Sequence, residues 1–128
     1  MPLLTILVED SPTIRDNLIA AMSELTDIRV IASAETPDEA IVALQAHRER
    51  WQLAVVDLFL KDGTGLAVLR AGQDRLSGQH MVVLTNYPTP EIRGRCLALG
   101  ADAVFDKSTE LDSFFARCRL YAAEGTRQ

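Results

Sequence analysis

The chain has 128 residues, too few for more than one ordinary domain but enough for a sheet with helices on both faces. Its 13 Lys and Arg against 18 Asp and Glu give a formal charge of −5, which argues against direct nucleic-acid binding because that depends on neutralising phosphates. No apolar stretch is as long as a membrane span, and Glu9 and Asp10 interrupt the first apolar run before an export signal forms, so a cytoplasmic protein without membrane contact is expected.

In chain order, Leu3-Leu4-Thr5-Ile6-Leu7-Val8 predicts a first strand over about 4–9, closed by Glu9 and Asp10. Ser11-Pro12, a capping residue before a proline, starts the first helix, with Ile14, Leu18, Met22 and Leu25 on one apolar face. A second strand over 28–34 is followed by Thr36-Pro37-Asp38-Glu39, a capping box with a first-turn proline. Trp51 is expected to pack where the second helix meets the third strand, which covers 53–57 and ends on Asp57. The loop Leu58-Phe59-Leu60-Lys61-Asp62-Gly63-Thr64-Gly65 turns into a third helix expected to run from Gly65 to Arg75.

Met81-Val82-Val83-Leu84 predicts a fourth strand ending at Thr85. Tyr87-Pro88-Thr89-Pro90 reads as a stiff lead-in to a weak fourth helix, since Gly94 lies in its interior and Ile92, Cys96 and Leu99 form its apolar face. Ala103-Val104-Phe105-Asp106 is a fifth strand, followed by Lys107. A fifth helix after Thr109 turns Leu111, Phe114, Phe115 and Cys118 inward, with Glu110 and Asp112 in its first turn. Cys96 and Cys118 fall at apolar helical positions without metal-ligand spacing and read as buried thiols. His47 and His80 lie far from the acidic strand ends and read as solvated.

Five strand–helix repeats with apolar strands predict an α/β fold, a doubly wound parallel sheet with helices on both faces. Ligands in such sheets bind outside the carboxyl ends of the strands, at the switch in strand order. Glu9, Asp10, Asp57, Thr85 and Lys107 all stand at such ends, so three carboxylates, a hydroxyl and an ammonium converge on one rim. That set suits a divalent cation together with phosphoryl chemistry. It resembles the receiver domain of two-component response regulators, and the likeness runs over essentially the whole chain.

The resemblance implies a flavodoxin-like sheet of order 2-1-3-4-5 and a single receiver domain over 1–128 with no output domain. Asp57 is then a phosphoacceptor, taking a phosphoryl group from a histidine kinase or phosphotransfer protein, with Thr85 and Lys107 holding phosphoryl oxygens. Mg²⁺ is implied as the cofactor, coordinated by Asp10, Asp57 and the main-chain carbonyl of Phe59, with Glu9 acting through water. Such a chain is not an enzyme in the ordinary sense, and signals to a downstream protein through the surface of helix four, strand five and helix five. The alternative is a phosphorylation-independent pseudo-receiver that acts only as an interaction module.

Three positions depart from the family pattern. Val104 stands where receivers commonly carry an aromatic residue three before the lysine, and alternation sends the neighbouring Phe105 to the opposite face. Ser108 replaces the proline that commonly follows the lysine, so a trans bond is expected there. Asn86 follows Thr85 where smaller residues are common. An enzyme on a similar sheet is disfavoured. The turn after the first strand, Glu9-Asp10-Ser11-Pro12, lacks the glycines of a nucleotide-binding loop, and no DxDxT run marks a haloacid-type phosphatase.

Overall fold

Runs of alternately facing apolar side chains place five strands side by side in a computed structural model that describes residues 2–125. The strands β1 (Leu3–Val8), β2 (Ile28–Ala34), β3 (Leu53–Val56), β6 (His80–Thr85) and β7 (Ala103–Asp106) pair in parallel in the order β2-β1-β3-β6-β7. That is the expected 2-1-3-4-5 order. A short antiparallel hairpin, β4 (Phe59–Leu60) with β5 (Gly63–Thr64), lies outside the main sheet. In the sequence that stretch reads as plain loop, because two-residue strands leave no periodicity to detect.

Alternation divides each strand between two cores. Ile6, Val8, Ala54, Val56, Met81, Val83 and Val104 face one side, with Ala40 and Leu44 of α2 (Pro37–Ala46), Val68 and Leu69 of α3 (Gly65–Ala71) and Cys96 of α4 (Pro90–Ala98). Leu7, Leu53, Val55, Val82, Leu84 and Phe105 face the other, with Leu18 and Met22 of α1 (Pro12–Leu25) and Phe114, Phe115 and Cys118 of α5 (Leu111–Gly125). Trp51 is buried on the first side, next to Leu44, as expected.

The side-chain caps form at Ser11 and Thr36 as read, and at Thr89 as well, while the capping box at Thr36 closes only in part. Ser11, Thr36 and Thr89 accept hydrogen bonds from the amides of Ile14, Glu39 and Ile92, and proline follows each of them. Glu39 reaches back one residue beyond the cap, to the amide of Glu35 at 2.9 Å. Two expectations need correction. Ile14 and Leu25 are exposed, because α1 lies on the sheet only through its middle turns at Leu18 and Met22. Helix α3 stops at Ala71 rather than Arg75, since Gly72 caps it and Arg75 folds back over the turn. The Arg75 guanidinium there donates to the carbonyls of Gly72, Gln79 and Gly100 and to Asp102.

Helix α4 is held weakly. Cys96 is its one fully buried side chain, with Ile92 and Leu99 only partly covered. Gly94 sits in its interior with open space where a side chain would stand. Gly94→Ala is therefore expected to stabilise the protein by about 0.5–1 kcal/mol, through helix propensity and a less free unfolded chain. Urea unfolding checks this; a loss of stability would mean the helix is strained at that position.

Candidate functional site

Strand register brings the acidic residues together. Val8 of β1 lies opposite Val56 of β3, and the Asp57 amide donates to the Val8 carbonyl at 3.0 Å. The Glu9 amide donates to the Ala34 carbonyl at 2.9 Å. Both carboxylates therefore leave the sheet side by side, at the point where the strand order reverses. Glu9 and Asp57 are buried and Asp10 is half-buried. Carboxylate oxygens of all three lie within 4.8 Å of one another.

Lys107 follows β7 and reaches over β6 to this cluster. Its Nζ donates to Asp57 Oδ2 at 3.0 Å and to Glu9 Oε1. Burial opposes the ammonium, but the hydrogen bond it donates to Glu9 and the charge of Asp57 outweigh it, so Lys107 titrates above an ordinary lysine. One ammonium cannot balance three carboxylates gathered in a poorly solvated place, and like charges so close repel strongly. A hard divalent cation relieves that repulsion. The donor set is all oxygen and its span suits a small cation, so the residues fit Mg²⁺.

The remaining members are arranged around this core. The Phe59 amide donates to Asp57 Oδ1 at 3.3 Å, and the Ser11 amide donates to Glu9 Oε2 at 3.2 Å. Thr85 is fully buried, and its hydroxyl accepts the Tyr87 amide at 3.3 Å. The Thr85 hydroxyl is thus engaged with the loop after β6, and its link to Lys107 is through the main chain, from the Lys107 amide to the Thr85 carbonyl at 2.9 Å. Outside the cluster, the exposed rings of Phe59 and Tyr87 meet edge to face, with centroids 5.4 Å apart.

Gly65 answers a different need from the one read in the sequence. It does not turn the chain with a positive φ; Asp62 and Gly63 do that, at 58° and 155°. A Cβ on Gly65 would stand 2.2 Å from the Asp57 carbonyl oxygen, so glycine is required by close packing of α3 on the end of β3.

Two of the three departures from the family pattern behave as expected. Val104 and Phe105 point into opposite cores, and the Lys107–Ser108 bond is trans. Asn86 is exposed, and its side-chain carbonyl accepts the Ser108 hydroxyl at 3.3 Å. His80 is not simply solvated: it stacks on Tyr121, with centroids 3.8 Å apart, between Asp102 and Glu124 at the opposite end of the sheet. The sequence marks Ser11 as a helix cap and Ser108 as a departure, but gives no sign of their contacts at the site. Their contribution runs through a main-chain amide and a single hydroxyl contact, and neither leaves a signature in residue type.

The family model described as the response regulator receiver domain matches residues 5–119. Among solved structures, the signal receiver domain of the response regulator NarL from Mycobacterium tuberculosis is 19% identical, with a TM-score of 0.81 over 97% of this chain and 98% of that one. The BeF3-activated receiver domain of RstA from Klebsiella pneumoniae is 24% identical, with a TM-score of 0.79 over 92% of this chain and 97% of that one. A chain of the CheX-CheY-BeF3-Mg²⁺ complex from Borrelia burgdorferi is 16% identical, with a TM-score of 0.77 over 91% of this chain and 89% of that one. No curated protein matches the chain.

Proposed function

The chain belongs to the response regulator receiver domain family, and from that premise we propose that Asp57 accepts a phosphoryl group from a phosphohistidine donor. A carboxylate oxygen of Asp57 attacks phosphorus in line, the P–N bond breaks, and the departing imidazole keeps its electron pair. The observation that carries this reading is the buried Asp57, held at a strand end by Lys107 and the Phe59 amide within a cluster able to bind a cation. A module that only docks has no need of such a cluster.

Each residue has a defined task. Lys107, freed from Asp57 by the reaction, follows the charge onto a phosphoryl oxygen. Thr85 donates its hydroxyl to another, which takes it from its position beside the Tyr87 amide. Asp10, Asp57 and the main-chain carbonyl of Phe59 would hold Mg²⁺, with Glu9 acting through water. When bound, the cation would supply charge neutralisation for the transferring group. Upstream, the partner is a histidine kinase or phosphotransfer protein; downstream, a protein reads the surface of α4, β7 and α5. No helix of the described residues is long and apolar enough to cross a membrane.

Intact mass after incubation with acetyl phosphate and Mg²⁺ tests the proposal. One added phosphoryl group is expected on the native chain and none on Asp57→Asn. Absence of uptake by the native chain, or equal uptake by the variant, sinks it.

The aromatic pair bears on how long the phosphate persists. Phe59 and Tyr87, whose exposed rings touch, stand two residues after Asp57 and Thr85, and the family resemblance places them at the mouth of the site, where a hydrolytic water must approach in line with the scissile bond. The two rings obstruct that approach, and Phe59 has no polar atom to hold the water, whereas an amide or carboxylate can position it. Slow hydrolysis is therefore expected, with faster decay of the phosphorylated form in Phe59→Asn, Tyr87→Glu and the double variant. Equal or slower decay in all three would remove the rings from control of the lifetime.

A further inference from the structure

Helix α4 has few apolar anchors, yet one of its side chains is tied down at three points. The Arg93 guanidinium donates through Nε to the Pro88 carbonyl at 3.0 Å, through Nη1 to the Val104 carbonyl at 2.9 Å, and through Nη2 to Glu110 Oε1 at 2.7 Å. Among the described residues it is the only α4 side chain hydrogen-bonded to another element of the fold. The planar fork suits this work, because its donors point in fixed directions and hold three segments at once.

Those three segments surround the site. Pro88 belongs to the lead-in that begins beside Thr85, Val104 is on β7, and Glu110 precedes α5. Glu110 Oε1 also accepts the Asp106 amide at 3.0 Å, and Asp106 Oδ1 accepts the Ser108 amide at 2.7 Å. Lys107 lies between those two residues and extends to Asp57. On the other side, Thr85 holds the Tyr87 amide, one residue before Pro88. A continuous set of bonds therefore runs from the phosphoacceptor end of the sheet to α4, along both flanks, and closes at Arg93.

We propose that Arg93 is the positioning residue that couples the phosphorylation state of Asp57 to helix α4, by holding α4 and its lead-in against β7 while the site is free of phosphate. This rests on the phosphoacceptor reading above. When the Thr85 hydroxyl turns to a phosphoryl oxygen it releases the Tyr87 amide, and the Tyr87-Pro88 step is free to move. The Arg93 bond to the Pro88 carbonyl opposes that movement. It keeps α4 in the phosphate-free position until the new contacts at Asp57 outweigh it, so the tether biases a two-state element.

The test compares the native chain with Arg93→Ala and Leu97→Gly, the second being an exposed change that weakens α4 without touching the tether. Two quantities are read: amide exchange over residues 86–98, with and without beryllofluoride and Mg²⁺, and the rate of phosphoryl uptake from acetyl phosphate. In Arg93→Ala, exchange in the empty protein is expected to rise on the order of tenfold, the effect of losing a charge-assisted hydrogen bond. Beryllofluoride then changes it little, and uptake is faster than in the native chain. Leu97→Gly raises exchange but leaves uptake at the native rate. Unchanged exchange in Arg93→Ala, native-rate uptake in that variant, or equally fast uptake in Leu97→Gly each overturns the coupling role. Failure of the native chain to take up phosphate is a separate result and defeats the phosphoacceptor reading itself, with the coupling that depends on it.

Discussion

Lys107→Met is expected to destabilise the metal-free protein by about 3 kcal/mol, at the lower end for removing one partner from a buried ion pair. The ammonium contacts two carboxylates that are themselves almost wholly covered, with side-chain exposures of 2% for Glu9 and 9% for Asp57. Methionine keeps most of the volume and leaves both charges without a counterion. The lower end applies because each carboxylate keeps one main-chain amide, from Ser11 and Phe59. Because the ammonium and a divalent cation are drawn to the same carboxylates, and removing one positive charge leaves more negative field for the other, the variant should bind Mg²⁺ more tightly than the native chain. Saturating Mg²⁺ should then recover part of the lost stability. Calorimetric titration and urea unfolding with and without Mg²⁺ read both effects. Weaker Mg²⁺ binding in the variant would show that the lysine helps to build the cation site instead of competing for it.

The same pair sets a pH dependence. Lys107 titrates above an ordinary lysine when folded, so its contribution is fully present below about pH 10.4. It is lost as pH rises through the folded value. While Glu9 and Asp57 stay ionised, the native chain should therefore keep its advantage over Lys107→Met until pH enters that alkaline range. Cys118 is pushed up to about 12 by burial, and Tyr121 is also raised by burial. Both destabilise the fold in alkali, because the unfolded chain ionises first, but they do so equally in the two proteins. The difference between the two stability curves isolates the lysine.

Much of this arrangement was legible in the residues. Parallel strands buried on both faces must be apolar throughout, so a polar residue that closes such a run is conspicuous. Glu9, Asp57, Thr85 and Lys107 were found that way, and β2 and β7 match their expected limits. The rest was hidden for physical reasons. Helical spacing marks Ile14 and Leu25 as core, but it cannot say how far along a helix the sheet extends. Thr85 is recognisable by its place, whereas its bond to the Tyr87 amide depends on the path of the loop. Arg93 left no signal at all. An arginine on an exposed helix usually reaches into solvent, and only the positions of Pro88, Val104 and Glu110 in space give it three partners.

Gly65→Ala should cost about 3 kcal/mol, the upper part of the range for forcing extra volume into a packed site. The added methyl would stand 2.2 Å from the Asp57 carbonyl oxygen and 2.9 Å from Val56 Cγ1. The first of these is main chain, so a rotamer change cannot relieve it. Either α3 lifts away from the sheet or the end of β3 shifts, and the second response displaces Asp57 relative to Lys107. The Gly65 amide also donates to the Leu58 carbonyl at 2.9 Å, and lifting α3 would break that bond. Gly72→Ala is the informative comparison. Its Cβ would come just as near, 2.2 Å, to Met81 Sδ, but a thioether at the end of a flexible chain can move aside. Its cost should be clearly smaller. Urea midpoints rank the two variants, and acetyl phosphate uptake by the folded fraction of Gly65→Ala reports whether Asp57 has moved. Similar midpoints for the two would mean that the strand end yields as easily as a methionine side chain, and close packing of α3 on β3 would not be what requires glycine at position 65.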